Sequence, residues 1–395
     1  MRIGMILDKN FPPDPRVENE AIELIKSGHE VFLFCLTYGN ESSEELINEI
    51  KVKRYQSNKL EYKLSALAYT LPFYSLIMKR KVVNFLRRNA IEAIHIHDIR
   101  IAEAVFFANK KFRLPIVLDL HDNMPEVMKF YPHMQKFPGK YIISLKRWKK
   151  KEEAFVKQSD KVITVSQEFV NELKSRIKVS EDKIVLVPNT IRKTFYEKYA
   201  VSERIKKKYD HKFVILYLGD THTRRGLLTA IEGVKEIKDK IANIKLVIVG
   251  KNTTDTILKA KVKELKLEEN VDFEGWQDVS LFPSYIETSD ICISPLNRNV
   301  QHDVAYANKL FQYMSLGKPL LVSNATAQKK LIEKVKAGLV HEEKNAADFA
   351  KKVLLLYKEE ELRERLGKNG KAFVRNEFTW DKTSKELINL YNSLN

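Results

Sequence analysis

Cysteine is almost absent from this sequence. Among 395 residues only Cys35 and Cys292 occur, and each lies in an apolar run typical of a strand. Two cysteines at this separation give no zinc-binding spacing. We interpret them as buried thiols in a reducing compartment, which excludes the class of small secreted proteins that depend on disulfides.

Long hydrophobic runs are also missing. The longest run without charge extends from Leu64 to Met78, contains Pro72, and is shorter than the roughly 20 residues that cross a bilayer. The apolar segment of residues 2–7 is too short for the hydrophobic part of a signal peptide. We therefore expect a cytoplasmic protein that is soluble or bound peripherally to the inner face of the membrane.

Acidic residues are in deficit, because 52 Asp and Glu stand against 69 Lys and Arg and the formal net charge is +17. This excess indicates an anionic partner: nucleic acid, an anionic membrane surface or a phosphorylated ligand. No nucleic-acid-binding motif occurs, so we expect no nucleic acid partner. The basic segments 79–88 and 146–157 have two interpretations, as solvated faces or as surfaces for anionic lipid headgroups.

The length and the order of apolar segments predict two α/β domains. A chain of this size exceeds one typical core. Residues 2–36 and 213–249 each show the succession of strand, helix and strand that opens a doubly wound sheet. The polar stretch 190–210 has little strand pattern and predicts a linker between the two domains.

Two predicted strands of the first half end in histidine and aspartate. One leads to His97 and Asp98, and the next along the chain leads to His121 and Asp122. Ligands of open α/β sheets lie at the carboxyl ends of the strands. All four residues are therefore candidates for a functional site.

The role of His121 is open at this level. It is either a histidine with a structural hydrogen bond or one that contacts a substrate hydroxyl or a developing charge. A metal site that combines it with His95 and His97 lacks a carboxylate cluster with convincing spacing. We therefore expect no metal and no other cofactor.

A basic loop follows the first strand of the second half. It extends over residues 219–226, begins and ends with glycine, and contains Arg224 and Arg225. Glycine allows a ligand to approach the backbone closely, and guanidinium groups match phosphate oxygens. The pattern favours diphosphate binding over a basic surface turn.

Residues 303–323 predict a helix followed directly by a buried strand. Leu310, Phe311 and Met314 recur at helical spacing and form an apolar face. The other face comprises Lys309, Gln312 and Tyr313. Lys309 lies in the first turn, where the helix terminus attracts anions; the alternative is an ordinary crossover helix with a solvated lysine.

These segments belong to a series of motifs that covers nearly the whole chain. The series comprises Phe11-Pro-Pro-Asp-Pro-Arg16, Gly28-His-Glu-Val31, His95-Ile-His-Asp98, Asp119-Leu-His-Asp122, Val187-Pro-Asn189, Arg225-Gly226, Val247-Ile-Val-Gly250, Phe273-Glu-Gly275, Asn308-Lys-Leu-Phe-Gln-Tyr-Met314 and Gly317-Lys-Pro319. In this order the motifs resemble glycosyltransferase family 4, the group 1 enzymes. The resemblance implies the α/β fold called GT-B, two Rossmann-like doubly wound domains facing a central cleft.

The resemblance also implies domain bounds. They are residues 1–195 for an acceptor-side domain, 206–372 for a nucleotide-sugar-binding domain, and 373–395 for a helix returning to the first domain. On the donor side, Arg225 replaces the family's lysine and binds the diphosphate together with Arg224 and Lys309. The residues implied for ribose and base are Gln312, Gly275, Trp276 and Lys251.

The catalytic residues implied are His121 and Asp303. The two glutamates of the family pattern fall on Val304 and Gln312, so Asp303 is the candidate replacement for the first. Asp220 stands where the family has an arginine after the strand glycine. The residues expected on the acceptor side are Asp14, Arg16, His97 and Asp98.

The predicted function is retaining, metal-independent transfer of a sugar from a nucleotide-diphosphate sugar. The expected acceptor is a saccharide or a lipid-linked molecule in cell-surface polysaccharide or glycolipid synthesis, and an anionic membrane surface is a candidate partner. Two alternatives remain open. One is a GT-B subunit that binds without transferase activity, and the other is a GT-B epimerase or phosphorylase.

Overall fold

A computed structural model describes residues 1–394, without the side chain of Gln135. The chain forms two compact units, one of Met1–Asn189 with the segment from Thr383 onward, the other of Thr190–Lys382. Each unit is built on its own sheet. Among the residues described, no helix is both long and apolar enough to cross a membrane.

The first unit contains an eight-stranded sheet in the order β3-β4-β2-β1-β5-β6-β7-β8. The strands are β1 (Arg2–Ile6), β2 (Glu30–Thr37), β3 (Glu44–Ile47), β4 (Ile50–Gln56), β5 (Ala93–His97), β6 (Ile116–Leu120), β7 (Lys161–Thr164) and β8 (Ile184–Leu186). All pair in parallel except β3, which is antiparallel to β4. The chain continues from β1 to β2 on one side of β1, whereas β5 lies on the other side, so the strand order reverses between β1 and β5. Ligands of such sheets bind at the carboxyl ends of the strands at this reversal point.

The second unit contains a six-stranded parallel sheet in the order β11-β10-β9-β12-β13-β14. Its strands are β9 (Phe213–Leu218), β10 (Ile244–Val249), β11 (Val271–Gly275), β12 (Ile291–Ser294), β13 (Leu320–Ser323) and β14 (Gly338–His341). The reversal point lies between β9 and β12. The prediction of two doubly wound Rossmann-like sheets is therefore confirmed.

Helices cover the sheets. In the first unit they are α1 (Pro15–Lys26), α2 (Lys59–Ser65), α3 (Phe73–Arg88), α4 (Ala102–Asn109), α5 (Met124–Val127), α6 (Pro132–Gln135), α7 (Gly139–Ile142), α8 (Leu145–Gln158) and α9 (Gln167–Arg176). The following helices are α10 (Thr194–Glu197), α11 (Glu203–Lys208), α12 (Leu227–Ile237), α13 (Asp255–Glu264), α14 (Phe282–Glu287), α15 (Val300–Val304), α16 (Lys309–Ser315), α17 (Thr326–Val335), α18 (Ala346–Lys358), α19 (Glu360–Glu377) and α20 (Trp380–Thr383). The last helix, α21 (Lys385–Asn392), belongs to the first unit and packs near α1 and β8.

Short 3₁₀ turns complete the helical segments. They are Met128–Phe130, Glu181–Lys183, Thr223–Arg225 and Val279–Leu281. The predicted linker 190–210 therefore contains the short helices α10 and α11 within the second unit.

The local sequence explains where α1 begins, which matters for the site described below. The Asp14 carboxylate accepts a hydrogen bond from the backbone N–H of Val17 at 3.2 Å, and Pro15 occupies the first helical position. Both features are typical of a helix N-terminus. They fix the register of α1, which directs Arg16 and Glu20 toward the sheet.

Two regions differ from the sequence-based expectation. The sequence of residues 64–89, apolar early and basic late, predicts one helix, but the helix is broken around Pro72, because proline cannot continue a helix from the preceding turn. The hairpin β3–β4 was not predicted at all. Its second strand alternates between the core and the solvent, with Ile50 and Val52 buried.

Candidate functional site

The carboxyl end of β9 in the second unit brings two backbone segments very close together. A Cβ at Gly250 would lie 1.9 Å from the carbonyl oxygen of Gly219, and Gly250 has φ +143°. Only glycine fits both conditions. Glycine at position 250 therefore lets the ends of β9 and β10 pack against each other.

Arg225 is held in place by the loop that follows β9. Its Nε donates to Oδ2 of Asp220 at 3.1 Å, and Asn252 Nδ2 donates to Oδ1 of the same carboxylate at 2.7 Å. Burial opposes ionisation of Asp220, but the charge of Arg225 and these hydrogen bonds lower its pKa below the ordinary value. Asp220, which stands where the family has an arginine, thus orients Arg225.

Lys309 lies at the same place, at the start of α16. Its Nζ is 3.6 Å from the centroid of the Tyr217 ring, a cation–π contact, and 3.2 Å from the position of a Cβ on Gly219. Burial, followed by the positive charge of Arg225, lowers the pKa of Lys309 well below its ordinary value. Two basic side chains thus lie near the Asp220 carboxylate, and an anionic ligand would favour the protonated form of Lys309.

Arg224 precedes Arg225 on the 3₁₀ turn, and its carbonyl oxygen accepts a hydrogen bond from Asn297 N at 3.1 Å. The predicted polar face of α16 is only partly correct. Tyr313 is fully buried, and its hydroxyl accepts a hydrogen bond from the backbone N–H of Leu218 at 2.8 Å. Tyr313 therefore fixes the end of β9, while Gln312 remains partly exposed one turn after Lys309.

A separate cavity of about 420 Å³ adjoins the carboxyl ends of β10 and β11. Lys251, Gly275 and Trp276 all line it, so the structure brings together the three residues expected near the base. The Trp276 side chain is 72% exposed. A large aromatic ring in open contact with solvent is available to stack on a planar ligand.

In the first unit, His121 lies between two carboxylates. Its Nε2 is 3.1 Å from Oδ2 of Asp98, and its Nδ1 is 3.2 Å from Oδ2 of Asp119. Burial opposes protonation, but Asp98 and the hydrogen bonds to both carboxylates raise the pKa of His121 well above 6.5. The ring is therefore a cation at neutral pH, and both of its nitrogens are engaged.

The catalytic role of His121 stays a prediction, and because both ring nitrogens contact carboxylates, contact with a substrate hydroxyl is the less favoured of its two forms. A contribution through its positive charge fits the geometry better. Asp98 has φ +64°, in the left-handed region. Such a conformation, at a strand end and beside a charged histidine, is common at functional sites.

Arg16 and His97 were expected on the acceptor side, but both are buried. The Arg16 guanidinium donates two hydrogen bonds to Asp119, at 2.9 and 2.7 Å, and its Nη1 donates to the Val187 carbonyl. His97 Nδ1 is 3.3 Å from Oδ2 of Asp119. Arg16 and His97 thus hold Asp119 in place, and their role on the acceptor side stays a prediction.

Asp14 has a different environment. It caps α1, and its Oδ2 forms an ion pair with Lys9 Nζ at 2.7 Å. Burial raises the pKa of Asp14, but Lys9 outweighs it and the net shift is downward. Asp14 and Asp98 remain the residues predicted for the acceptor side.

Sequence similarity agrees with this arrangement. Two family profiles match, Glycosyltransferase Family 4 over residues 16–194 and Glycosyl transferases group 1 over residues 200–373. The chain belongs to the group 1 glycosyltransferases. An uncharacterised glycosyltransferase of Methanocaldococcus jannaschii is 24% identical over 377 residues, which are 93% of this chain and 90% of that relative.

Solved structures show the same GT-B fold. Sucrose-phosphate synthase from Thermosynechococcus elongatus has a TM-score of 0.81 at 18% identity, covering 100% of this chain and 98% of the other. Anabaena HepE in complex with UDP has a TM-score of 0.75 at 14% identity, with full coverage of both chains. The predicted family and fold are confirmed.

In this glycosyltransferase the place of the first family glutamate is unusual. Val304 is 5% exposed. The Asp303 carboxylate accepts hydrogen bonds from Thr326 N at 2.7 Å and from Thr326 Oγ1 at 2.9 Å, and it pairs with Arg298 at 3.1 Å. Asp303 therefore holds the start of α17, and its catalytic role stays a prediction.

The sequence analysis missed two members of the buried cluster around Arg16 and Asp119 in this glycosyltransferase, Glu20 and Tyr391. Glu20 Oε1 is 2.8 Å from Arg16 Nη2, and Glu20 Oε2 is 3.3 Å from His95 Nε2. His95 Nδ1 lies 2.9 Å from the Tyr391 hydroxyl of α21. The spacing of four residues between Arg16 and Glu20 was a usable signal, whereas nothing in the sequence indicates the contact between His95 and Tyr391.

Four members of this cluster have the composition of a metal site. Glu20, His95, His97 and Asp119 offer ligand atoms within 4.8 Å of one another. Arg16 already pairs with both carboxylates, so a dication would meet a fixed positive charge. Burial raises the pKa of Glu20 to about 8, which indicates a neutral acid next to His95 and fits a metal ligand poorly.

Proposed function

We propose that this protein is a retaining glycosyltransferase that moves a sugar from a nucleotide-diphosphate donor to a saccharide or lipid-linked acceptor. The observation that carries the proposal is the pair of cations Arg225 and Lys309 at the carboxyl end of β9. When the bond to the sugar breaks, negative charge develops on the leaving diphosphate. Fixed cations at that place stabilise the transition state more than the ground state.

The surroundings of this cation pair support a nucleotide as the rest of the donor. The cavity with Trp276 follows the neighbouring strands β10 and β11, and Gln312 lies one turn from Lys309. HepE, a protein of the same fold, binds UDP. We place the reaction in cell-surface polysaccharide or glycolipid synthesis, in the cytoplasm or at the inner membrane face, without a metal.

The direct test is a panel of nucleotide sugars, first by thermal shift and then by transfer to saccharide and lipid-linked acceptors. One donor should stabilise the protein, since a ligand that binds only the folded state raises its stability. Transfer should persist in EDTA, and nuclear magnetic resonance of the product should show the donor's anomeric configuration. Inversion would exclude the retaining mechanism, and loss of transfer in EDTA would exclude metal independence.

A second function is favoured by the environment of Asp303. With Val304 apolar and Asp303 engaged by Thr326 and Arg298, the site lacks a free carboxylate at the place of the first family glutamate. A subunit that binds a nucleotide sugar without transferring it has this property. The panel separates the two functions, because such a subunit would show thermal stabilisation without any transfer.

Arg225→Ala should weaken binding of a nucleoside diphosphate about 10- to 100-fold and leave nucleoside binding nearly unchanged. A hydrogen bond to a charged group contributes about 1.5–3 kcal/mol, and only the diphosphate makes it. Isothermal titration calorimetry with both ligands measures the difference. Arg365→Ala is the matched control, because Arg365 is exposed on α19; equal losses for diphosphate and nucleoside would contradict the phosphate assignment.

Binding of the nucleoside diphosphate should also weaken as the pH rises between the pKa of Lys309 in the free protein and its pKa in the complex. The pKa of Lys309 is low in the free protein, and a bound phosphate raises it, so binding takes up a proton between the two pKa values. In that window affinity falls with rising pH by up to about tenfold per unit. Lys309→Arg keeps the charge at every pH and should remove this dependence; a dependence unchanged in this variant would assign it to another group.

A further inference from the structure

The first unit contains a cavity that the proposed transfer does not explain. Its volume is about 760 Å³, within the range of about 300–1,000 Å³ typical of small-molecule sites. It lies between the segment after α2 and the segment from α5 to α8. Its walls are mainly apolar and include Leu67, Met128, Ile143 and the buried ring of Trp148.

This cavity adjoins the cluster around His121 through the same two strands. After β5 the chain passes Asp98, which contacts His121, and then Arg100, which lines the cavity. After β6 it passes His121 itself and reaches Met124, another lining residue. A molecule in the cavity would therefore have one end near the predicted acceptor side.

The rim of the cavity exposes an unusual amount of apolar surface. Phe137 is 85% exposed, Tyr141 76%, Tyr62 60% and Phe73 56%. Exposed apolar groups in one contiguous region indicate a binding surface. Tyr62 lines the cavity itself. Phe73 begins α3, and Phe137 and Tyr141 are chain neighbours of the lining residues Pro138 and Ile142.

Positive charge accompanies the apolar rim. Lys63 lines the cavity, and Lys136 and Lys140 are exposed beside Phe137 and Tyr141. Arg100 contributes little net charge, because it is paired with Asp8 at 2.8 Å. The rim therefore combines apolar surface with lysine side chains, which is complementary to a hydrocarbon chain that carries an anionic head group.

We propose that the cavity binds the hydrocarbon chain of a lipid-linked acceptor and that Lys63, Lys136 and Lys140 face its phosphate. This inference rests on the proposed function, because it assigns the acceptor of that reaction. It selects the lipid-linked acceptor over a free saccharide, since a saccharide requires a lining of polar groups. In the basic helices α3 and α8, Lys81 and Lys151 are paired with Glu61 and Glu103.

The first experiment is calorimetry with n-alkyl phosphates of increasing length, each below its micelle concentration. Each buried methylene should strengthen binding about fourfold until the cavity is filled, and longer chains should bind no tighter. Binding without a dependence on chain length overturns the proposal. Binding of inorganic phosphate as tight as that of the alkyl phosphates also overturns it, as does equal affinity for an alkyl alcohol of the same length.

The second experiment fills the cavity. Ala66 lines it and is partly buried, so Ala66→Phe should weaken alkyl phosphate binding at least tenfold. Ala372→Phe, on the exposed face of α19, is the matched control and should leave it unchanged. Unchanged binding in Ala66→Phe overturns the cavity as the site.

Nucleoside diphosphate binding by the second unit is measured in parallel. This measurement distinguishes a failure of the lipid proposal from a failure of the proposed function. Because Ala66 belongs to the first unit and the diphosphate site to the second, circular dichroism along the urea transition of the first unit shows whether Ala66→Phe is folded. Loss of lipid binding with retained diphosphate binding supports the cavity. If the unmodified protein binds its donor and transfers the sugar but binds no alkyl phosphate, the lipid assignment is wrong and the proposed function stands. The chain-length series uses the unmodified protein, so it decides this point even when the variant fails to fold.

Discussion

His121→Ala should reduce turnover about 10²- to 10³-fold while nucleoside diphosphate affinity stays within about twofold. The ring is a cation held by Asp98 and Asp119, and it belongs to the first unit, whereas the diphosphate cations Arg225 and Lys309 belong to the second. A positive charge fixed in advance stabilises charge that develops during transfer. Its removal therefore lowers the rate of the chemical step and spares donor binding.

His121→Gln separates the charge from the hydrogen bonds. Glutamine keeps a hydrogen-bond donor toward one carboxylate and lacks the positive charge. Turnover of the His121→Gln variant should therefore fall nearly as far as turnover of His121→Ala. His211→Ala is the control, because the His211 side chain is 89% exposed in the second unit. Turnover in both His121 variants within threefold of the unmodified enzyme would remove His121 from the reaction.

The sequence allowed two doubly wound sheets to be predicted because their strands are buried on both faces. The strand β2 has seven buried residues out of eight, and a run of this kind has few other interpretations. The hairpin β3–β4 was not predicted, because β4 places a charged residue in the core. The Arg54 guanidinium is buried in a setting that satisfies it, with a hydrogen bond to the Phe11 carbonyl at 3.2 Å, and such a setting cannot be recognised from neighbouring residues.

The donor side was more predictable than the histidine cluster. Arg225 and Lys309 follow local rules, a loop after a strand and the first turn of a helix. The cluster depends on contacts between distant residues: Arg16 and Asp119 are 103 positions apart, and His95 and Tyr391 are 296 apart. Motif similarity drew attention to Arg16 and His97, but it could not show that both are buried.

The largest expected loss of stability belongs to Asp119→Ala. Asp119 is fully buried and bound by Arg16 through two hydrogen bonds. Removing one partner of a buried ion pair costs about 3–5 kcal/mol, because the other charge stays buried. Since the chain has two units, the measurement is the urea midpoint of the first unit's transition, followed by circular dichroism.

A double variant tests the cause of this loss. Arg16→Met combined with Asp119→Leu removes both charges, so it should be less destabilised than Asp119→Ala, as apolar replacements of buried ion pairs often are. Glu364→Ala is the control, since it breaks an exposed ion pair with Lys368 and should cost less than about 1 kcal/mol. A loss below about 1 kcal/mol for Asp119→Ala contradicts the proposed importance of the pair.

The pH dependence of this loss follows from the two coupled groups. The charge of Arg16 and the histidine hydrogen bonds overcome burial and lower the pKa of Asp119 well below its ordinary value of 3.8. Its stabilisation is therefore present above 3.8 and is lost as the pH falls through the folded pKa. The pKa of His121 is raised above 6.5, so its stabilisation is complete below 6.5 and is lost as the pH rises through the folded value. The difference in unfolding free energy between the unmodified protein and Asp119→Ala should be largest between pH 3.8 and pH 6.5, the two ordinary pKa values, and should shrink on either side. A difference that is constant with pH would show that packing, not charge, holds the cluster together.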